Sequence, residues 1–142
     1  MKITVFACFL VKTLMSCVLG MPNFTLDDAR WAFSCLLVAK LKRDDEKSCL
    51  IYGTDGKYNK FRRRTECGTD IVVNAHRLVL YIKMGSVNIP DEIQSSHLCH
   101  NKACINIDHI MPENKFLNRA RRTCNQEGSC MGHAGAPPCI FE

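Results

Sequence analysis

The sequence predicts a small α+β fold with few helices and short antiparallel strands, stabilised by bound zinc in place of a large apolar core. A segment with apolar residues at helical spacing begins near residue 25, and short β-type segments with a turn signal follow it. Cysteines and histidines then alternate over residues 95–139, at the short spacings of structural zinc sites. A chain of 142 residues is long enough for one domain with its own core.

The positive charge of the chain is clustered. The net charge of +5 is moderate, but most lysines and arginines fall in two segments. Next to a zinc framework, these clusters predict a polyanionic partner such as DNA, and the alternative is a solvated face. The two groups are Lys40, Lys42, Arg43, Lys47, Lys57, Lys60, Arg62, Arg63 and Arg64, and then Lys115, Arg119, Arg121 and Arg122.

Residues 1–20 form an apolar segment that we separate from a domain at residues 21–142. The segment resembles a short signal peptide, whereas Lys12 within the apolar run argues against one. Translation could also start at Met21, or the segment could form a core helix. The run is too short for a membrane span, so no membrane partner is expected. We expect an intracellular, nuclear protein, unless the segment is a signal peptide that directs secretion.

An amphipathic helix is predicted over residues 25–42, with Thr25 and Asp28 as a capping box at its start. Two short strands over residues 48–53 and 58–63 follow, and an Asp-Gly turn joins them. We therefore expect a helix and then a β-hairpin.

A further strand over residues 70–74 leads into a second helix. Asn74 can cap this helix, which we expect to end at Gly85. His76 is interpreted as a structural residue at the helix start and not as a metal ligand. Residues 86–94 are predicted to be a loop that leads into the segment rich in cysteine and histidine.

Two groups of metal ligands can be drawn from that segment. Cys99, Cys104 and His109 are spaced C-x4-C-x4-H and need a fourth ligand from elsewhere in the chain. The second group is complete in itself. Interleaved histidines favour zinc over disulfides, which ten cysteines would suggest in a secreted chain. The second group consists of Cys124, Cys130, His133 and Cys139.

This segment also resembles a known family, the His-Cys box of intron-encoded homing endonucleases. Those enzymes belong to the wider class of His-Me finger, or ββα-metal, nucleases. The resemblance covers roughly the last two-thirds of the chain and consists of a long ordered set of spacings. The residues that carry it are 96–101 (SHLCHN), Cys104, 105–106, His109, Asn118, the loop 124–139 and, more loosely, Cys49.

The resemblance implies a His-Me finger nuclease domain with two structural zinc sites. In the family, a cysteine placed like Cys49 supplies the fourth ligand of the first site. Cys67 is the competing candidate for that position, and Cys49 could instead be an ordinary strand cysteine.

The resemblance also implies the residues of an active site. His97 would be the general base on a β-hairpin, and Asn118 the ligand of a catalytic Mg²⁺ ion on the helix that follows. Arg64 matches the catalytic arginine of the homing enzymes. A neutral imidazole titrates near pH 7 and is a suitable general base for the attacking water. Pro112 suits the first turn of a helix, which we predict over residues 112–121.

Each of these assignments has an alternative. His97 or His100 could serve as a zinc ligand, and Asn118 could be a plain polar residue of the helix. Asp108 is then the next candidate for the Mg²⁺ ligand. The three arginines at 62–64 could all bind backbone phosphates.

These observations predict a magnesium-dependent endonuclease that hydrolyses phosphodiester bonds of double-stranded DNA, with two structural zinc ions. The alternatives are a zinc-stabilised DNA-binding module that does not cut, and a secreted disulfide-linked protein without metal. The homing enzymes have a longer C-terminal tail that helps to build their dimer, whereas only three residues follow Cys139 here. A homodimer on a near-palindromic site is therefore possible, and no particular residue of the chain supports it.

Overall fold

The computed structural model describes residues 24–65 and 68–141. Within them lie three helices and six strands, and the strands pair as three antiparallel two-stranded sheets. This confirms the predicted α+β class.

The predictions for residues 1–20 and for Cys67 lie outside the described residues, and the domain bounds of 21–142 stay a prediction. None of the helices described is both long and apolar enough to cross a membrane. In chain order the elements are α1 (Leu26–Val38), β1 (Lys42–Asp44), β2 (Cys49–Ile51), β3 (Lys60–Arg64), β4 (Asp70–Asn74), α2 (Ala75–Met84), β5 (Ile93–His97), β6 (Ile110–Asn114) and α3 (Lys115–Glu127).

Helix α1 begins at the capping box that the sequence predicts. The Thr25 hydroxyl accepts a hydrogen bond from the backbone N–H of Asp28 at 3.2 Å, and the Asp28 carboxylate accepts one from the backbone N–H of Thr25 at 2.8 Å. The helix ends at Val38, before the predicted Lys42, because Lys42 already belongs to β1 and pairs with Ile51.

The predicted hairpin between residues 48–53 and 58–63 is wrong. β2 pairs with β1, and β3 pairs with β4. The Asp-Gly segment between β2 and β3 forms a local loop because the side chain of Asn59 closes it. The Asn59 amide donates to the carbonyl oxygens of Thr54 and Lys57, each at 2.9 Å. Those backbone groups are satisfied within the loop, so the two strands leave it toward different partners.

Helix α2 follows β4 and matches its prediction closely. Asn74 occupies the N-cap position, although its side chain makes no cap hydrogen bond. Gly85 ends the helix in the left-handed conformation, with φ 64°, which glycine adopts without a Cβ clash. Lys83 in the last turn donates from Nζ to the carbonyl oxygen of Ile110 at 2.7 Å. This bond ties α2 to β6.

The apolar core lies between α1, α2 and the sheet β3–β4. Leu36 of α1 and Leu78 of α2 are fully buried there, together with Phe61 of β3. Ile110 of β6 belongs to the same cluster, so the β5–β6 hairpin packs on the core through this residue.

The β5–β6 hairpin is followed directly by helix α3, in the ββα order that the resemblance implies. His97 lies opposite Ile110 at one end of the hairpin. The prediction that Pro112 opens the helix is wrong, because Pro112 lies inside β6 opposite Ser95. A proline is tolerated there because each strand of a two-stranded sheet has an edge without a partner.

Asn114 supplies the helix start that the sequence assigns to Pro112. Its side-chain oxygen accepts hydrogen bonds from the backbone N–H groups of Phe116 and Leu117, at 3.0 and 2.9 Å. Asparagine is a strong N-cap because this oxygen satisfies helix donors that have no partner within the helix. The cap fixes where α3 leaves the hairpin.

Candidate metal centres and active site

Four buried ligand atoms from separate parts of the chain converge beside the β5–β6 hairpin, and we name this group site 1. Cys49 starts β2, Cys99 and Cys104 lie in the loop after β5, and His109 directly precedes β6. The four ligand atoms lie within 4.8 Å of one another. The structure thus brings the three ligands with regular spacing together with Cys49. His97 and His100 are not members of the group.

The distances in site 1 fit a tetrahedral zinc ion. Nδ1 of His109 lies 3.6 Å from Sγ of Cys49 and 3.5 Å from Sγ of Cys104. With Zn–S of about 2.3 Å and Zn–N of about 2.0 Å, tetrahedral geometry separates sulfur and nitrogen by about 3.5 Å. The ring nitrogen and the two sulfurs therefore have the spacing of ligands that share one zinc ion.

The three thiols of site 1 perturb one another. Burial, together with the neighbouring Cys104, raises the pKa of Cys49 to about 12. A hydrogen bond to Cys104, with burial, also raises the pKa of Cys99, whereas that same bond lowers the pKa of Cys104 to about 5. Buried thiols so close together therefore resist carrying more than one negative charge. A divalent cation favours all three thiolates.

The second ligand group, which we name site 2, connects the last turn of α3 to the C-terminal tail. Nε2 of His133 lies 3.7 Å from the sulfur of Cys124 and 3.4 Å from the sulfurs of Cys130 and Cys139. One N–H can point at only one of three sulfurs, whereas one ion can bind all four atoms. Cys139 is 9 % exposed and the other three residues are half-buried. The two Cys/His groups could hold two zinc ions.

His97 lies at the end of β5 with its imidazole almost fully buried, at 8 % exposure. Its Nε2 is 3.2 Å from the carbonyl oxygen of Cys104. A carbonyl oxygen only accepts, so the ring proton belongs on Nε2 and Nδ1 keeps its lone pair. Burial lowers the pKa of His97 to about 4, so the ring is neutral near pH 7.

Asn118 lies on the face of α3 that packs on β5. Its side-chain oxygen accepts a hydrogen bond from the Ser96 hydroxyl at 3.1 Å, and its amide group donates to Gln94 Oε1 at 2.7 Å. In this orientation of the amide, the oxygen faces Ser96 and the nitrogen faces Gln94. The oxygen is thereby held next to Ser96, the residue that precedes His97.

Arg64, at the end of β3, has its partners in the segment that leads to β4. Its guanidinium donates from Nε to the carbonyl oxygen of Gly68 at 3.1 Å and lies 3.9 Å from the Asp70 carboxylate. Its side chain is 73 % exposed. None of the contacts among the described residues joins Arg64 to His97 or Asn118.

His76 is a neighbour of His97 that the sequence does not indicate. Its ring centroid lies 5.4 Å from that of His97, and the ring of Tyr58 lies 4.8 Å from His76 and 6.1 Å from His97. Burial lowers the pKa of His76 to about 3, with the ring of His97 and the cation of Arg77 adding to the shift. His76 does sit at the start of α2 as predicted. No local spacing could reveal its contact with His97, because the two belong to different elements.

The two basic segments differ in what they expose. In β3, Lys60, Arg62, Arg63 and Arg64 are all exposed. In the second segment, Arg121 is buried, at 1 % exposure, and bonds to a buried glutamate, so it is not part of a basic surface. The prediction that Arg121 contributes to a positive surface cluster is therefore wrong.

The family model for the zinc-binding loop region of homing endonuclease matches residues 34–138. The chain belongs to this family. The matched range contains His97 and Asn118 and every residue of both sites except Cys139, which follows it directly. The resemblance seen in the sequence is thereby confirmed. The comparisons with curated proteins and with solved structures each gave no significant match.

Proposed function

We propose that this homing endonuclease family member is a magnesium-dependent enzyme that hydrolyses phosphodiester bonds in double-stranded DNA. The observation that carries the proposal is the hydrogen bond of His97. Its Nε2 proton is engaged by the Cys104 carbonyl oxygen at 3.2 Å. Nδ1 is then the atom that can take a proton from a water molecule.

The hydrogen bond to Cys104 gives His97 its role in the reaction. A general base must present a fixed lone pair and must be unprotonated at the working pH. The carbonyl oxygen holds the tautomer, and the buried surroundings lower the pKa and keep the ring neutral. When the water proton arrives at Nδ1, the imidazolium is stabilised by the same carbonyl oxygen.

Asn118 is the residue that would hold Mg²⁺. Mg²⁺ prefers oxygen ligands and keeps several waters, so a single amide oxygen suits it. The Asn118 oxygen accepts one hydrogen bond, from Ser96, and an amide oxygen has a second lone pair. When bound, the ion supplies positive charge for the leaving oxygen of the scissile bond.

Strand β3 supports DNA as the substrate. Side chains alternate across a strand, so Lys60, Arg62 and Arg64 share one face, and all three are exposed. We propose that this face binds backbone phosphates and that Arg64 reaches the scissile phosphate in the complex with DNA. The zinc ions would be structural, with site 1 fixing the loop behind His97. An intracellular, nuclear location is part of this proposal.

A DNA-binding module that does not cut is the second candidate. Two observations favour it: the 8 % exposure of His97, and the partners of Arg64, which lie in the segment before β4 and include neither His97 nor Asn118. The two candidates differ in one property, which is hydrolysis of DNA that is already bound.

The test measures binding and cleavage of supercoiled plasmid by zinc-loaded protein while Mg²⁺ is titrated. We expect cleavage only with Mg²⁺, its loss in Asn118→Ala, and partial retention in Asn118→Asp, because a carboxylate oxygen also binds Mg²⁺. Plasmid that is bound but uncut by the wild type at every Mg²⁺ concentration would establish the binding module instead.

A further inference from the structure

A buried arginine connects site 2 to the β5–β6 hairpin. Arg121 of α3 is 1 % exposed, and Glu113 of β6 is 5 % exposed. The guanidinium donates from Nε and Nη2 to the two carboxylate oxygens of Glu113, with the Nε bond at 2.8 Å. Its remaining nitrogen, Nη1, lies 3.6 Å from the sulfur of Cys139. One side chain thus contacts both the hairpin and a metal ligand.

The geometry uses a property that only arginine has. The planar guanidinium binds a carboxylate with two parallel N–H bonds and still has donors pointing elsewhere. Here the spare donor faces the sulfur of Cys139. An N–H···S bond withdraws charge from a zinc-bound thiolate and so makes the sulfur less nucleophilic. As an outer-shell contact it also holds the sulfur in the orientation in which it binds the ion.

The three sulfurs of site 2 differ in their donors. Cys130 Sγ accepts from the backbone N–H groups of Gly132 and Cys139, at 3.4 and 3.5 Å. Cys124 Sγ faces the other ligands of the site: the ring nitrogen of His133 at 3.7 Å and the sulfurs of Cys130 and Cys139. Among these three sulfurs, that of Cys139 has a side-chain donor from outside the ligand group, Arg121, and this donor can be removed by substitution.

The same ion pair also closes a ring of contacts around the Asn118 amide. Arg121 lies three residues after Asn118 on α3. Its partner Glu113 faces Gln94 across the hairpin, and Gln94 accepts the hydrogen bond from Asn118 at 2.7 Å. The Arg121–Glu113 pair therefore holds α3 against the hairpin at the point where Asn118 bonds to Gln94 of β5.

We propose that Arg121 is a positioning residue that couples site 2 to the hairpin. It holds the Cys139 sulfur on the zinc ion, and it holds α3 where Asn118 meets Gln94. The first part concerns zinc alone. The second part rests on the proposed function.

The test of the first part uses the double variant Arg121→Met, Glu113→Leu. Replacing both members of a buried ion pair by apolar residues of similar size commonly preserves a fold, whereas removing one leaves an unpaired buried charge. The zinc-loaded protein is mixed with a competing chelator and N-ethylmaleimide, and labelling of each cysteine is followed by peptide mass spectrometry. We expect the three cysteines of site 2 to be labelled about 10- to 100-fold faster than in the wild type, the usual effect of an outer-shell partner. Labelling of the site 1 cysteines should not change.

Glu113→Gln is the matched control, because it breaks the ion pair but leaves the Arg121 donor on Cys139. Its site 2 labelling should stay at the wild-type rate even though its fold is less stable. Wild-type labelling of site 2 in the double variant, or equal acceleration in Glu113→Gln, would overturn the proposal. If the double variant does not fold, Arg121→Lys decides, since lysine keeps the charge but cannot bond Glu113 and Cys139 together. Unchanged labelling in that variant would likewise overturn it.

The second part is tested by the Mg²⁺ concentration that gives half-maximal cleavage. We expect it to rise in the double variant, with the rate at saturating Mg²⁺ changing less. An unchanged Mg²⁺ dependence would remove the link to Asn118. A wild type that does not cut DNA would refute the proposed function, and the labelling rates would still decide the first part.

Discussion

His97 and Cys104 are joined by a hydrogen bond between the imidazole Nε2 and the backbone carbonyl oxygen, at 3.2 Å. The sulfur of Cys104 belongs to site 1, where it lies 3.5 Å from His109. One residue therefore orients the candidate base with its backbone and serves as a candidate zinc ligand with its side chain. Metal binding at site 1 would hold in place the loop whose carbonyl oxygen sets the tautomer of His97.

Loss of a site 1 ligand is expected to remove one zinc ion and most of the cleavage activity. Structural zinc contributes on the order of 10 kcal/mol to the folding of small zinc domains, so Cys99→Ser should destabilise the protein by several kcal/mol. Zinc per chain is measured by native mass spectrometry, and stability by urea unfolding. Cys35→Ser is the control, since Cys35 is a half-buried free cysteine outside both sites. Two zinc ions retained in Cys99→Ser would contradict the assignment.

The capping box of α1 is expected to contribute about 1 kcal/mol to the free energy of unfolding. Thr25→Ala removes the hydroxyl that accepts from the Asp28 N–H at 3.2 Å. Thr25→Ser keeps that oxygen and should unfold at nearly the wild-type urea concentration. Equal stability of the alanine and serine variants would show that the cap contributes nothing.

The local chemistry of the sequence predicts this cap, the end of α2 at Gly85 and the convergence of site 2, because each depends on residues close together in the chain. Strand pairing is predicted less well. The Asp-Gly signal indicates a turn, but the Asn59 side chain decides what the turn connects. Pro112 is compatible with a helix start and with an edge strand, and the cap formed by Asn114 decides between them.

Contacts between different helices, strands and loops account for the rest. Cys49 joins a group 50 residues or more further along, and only the family resemblance pointed to it. The burial of Arg121 against Glu113 could not be inferred from a basic segment, since nothing local pairs the two. The contact of His76 with His97 is hidden for the same reason.

The buried His76 should make the fold sensitive to acid. Its pKa is about 3 in the folded protein, against 6.5 in the unfolded chain, because burial and the adjacent His97 and Arg77 disfavour the charged ring. Tyr58 covers the ring, with Lys102 above Tyr58. Above pH 6.5 neither state binds the proton and stability is unaffected. Below it, the unfolded chain gains a proton that the folded protein does not, so stability falls as the pH drops toward 3.

His76→Leu should abolish this loss. Between pH 7 and pH 5, the wild type is expected to lose about 2 kcal/mol more than the variant, at about 1.4 kcal/mol per pH unit below 6.5. Urea unfolding of both proteins at the two pH values measures the difference, in which acid effects on the zinc sites cancel. Parallel losses in the two proteins would show that His76 is not the titrating group.

The exposed face of β3 is expected to bind DNA through its phosphates. Arg62→Ala should lower the affinity and reduce the slope of log K against log salt by about 0.9, as for the loss of one phosphate contact. Arg30→Ala is the control, because Arg30 lies on α1 and pairs with Asp27 at 3.2 Å. Fluorescence anisotropy at several salt concentrations gives both slopes. Equal slopes for Arg62→Ala and the wild type would place the phosphates elsewhere.

In the proposed reaction, a neutral His97 is the base that activates water for DNA hydrolysis. Its most direct test is the single-turnover rate of plasmid cleavage with Mg²⁺ for the wild type, His97→Ala and His100→Asn. His100 belongs to the same loop and has φ 60°, a conformation that asparagine tolerates, so this variant controls for disturbance of the loop. We predict that His97→Ala cuts about 10²- to 10⁴-fold more slowly while it binds zinc and DNA like the wild type, and that His100→Asn cuts normally. Cleavage by His97→Ala at the wild-type rate, with both metals bound, would show that His97 is not the base.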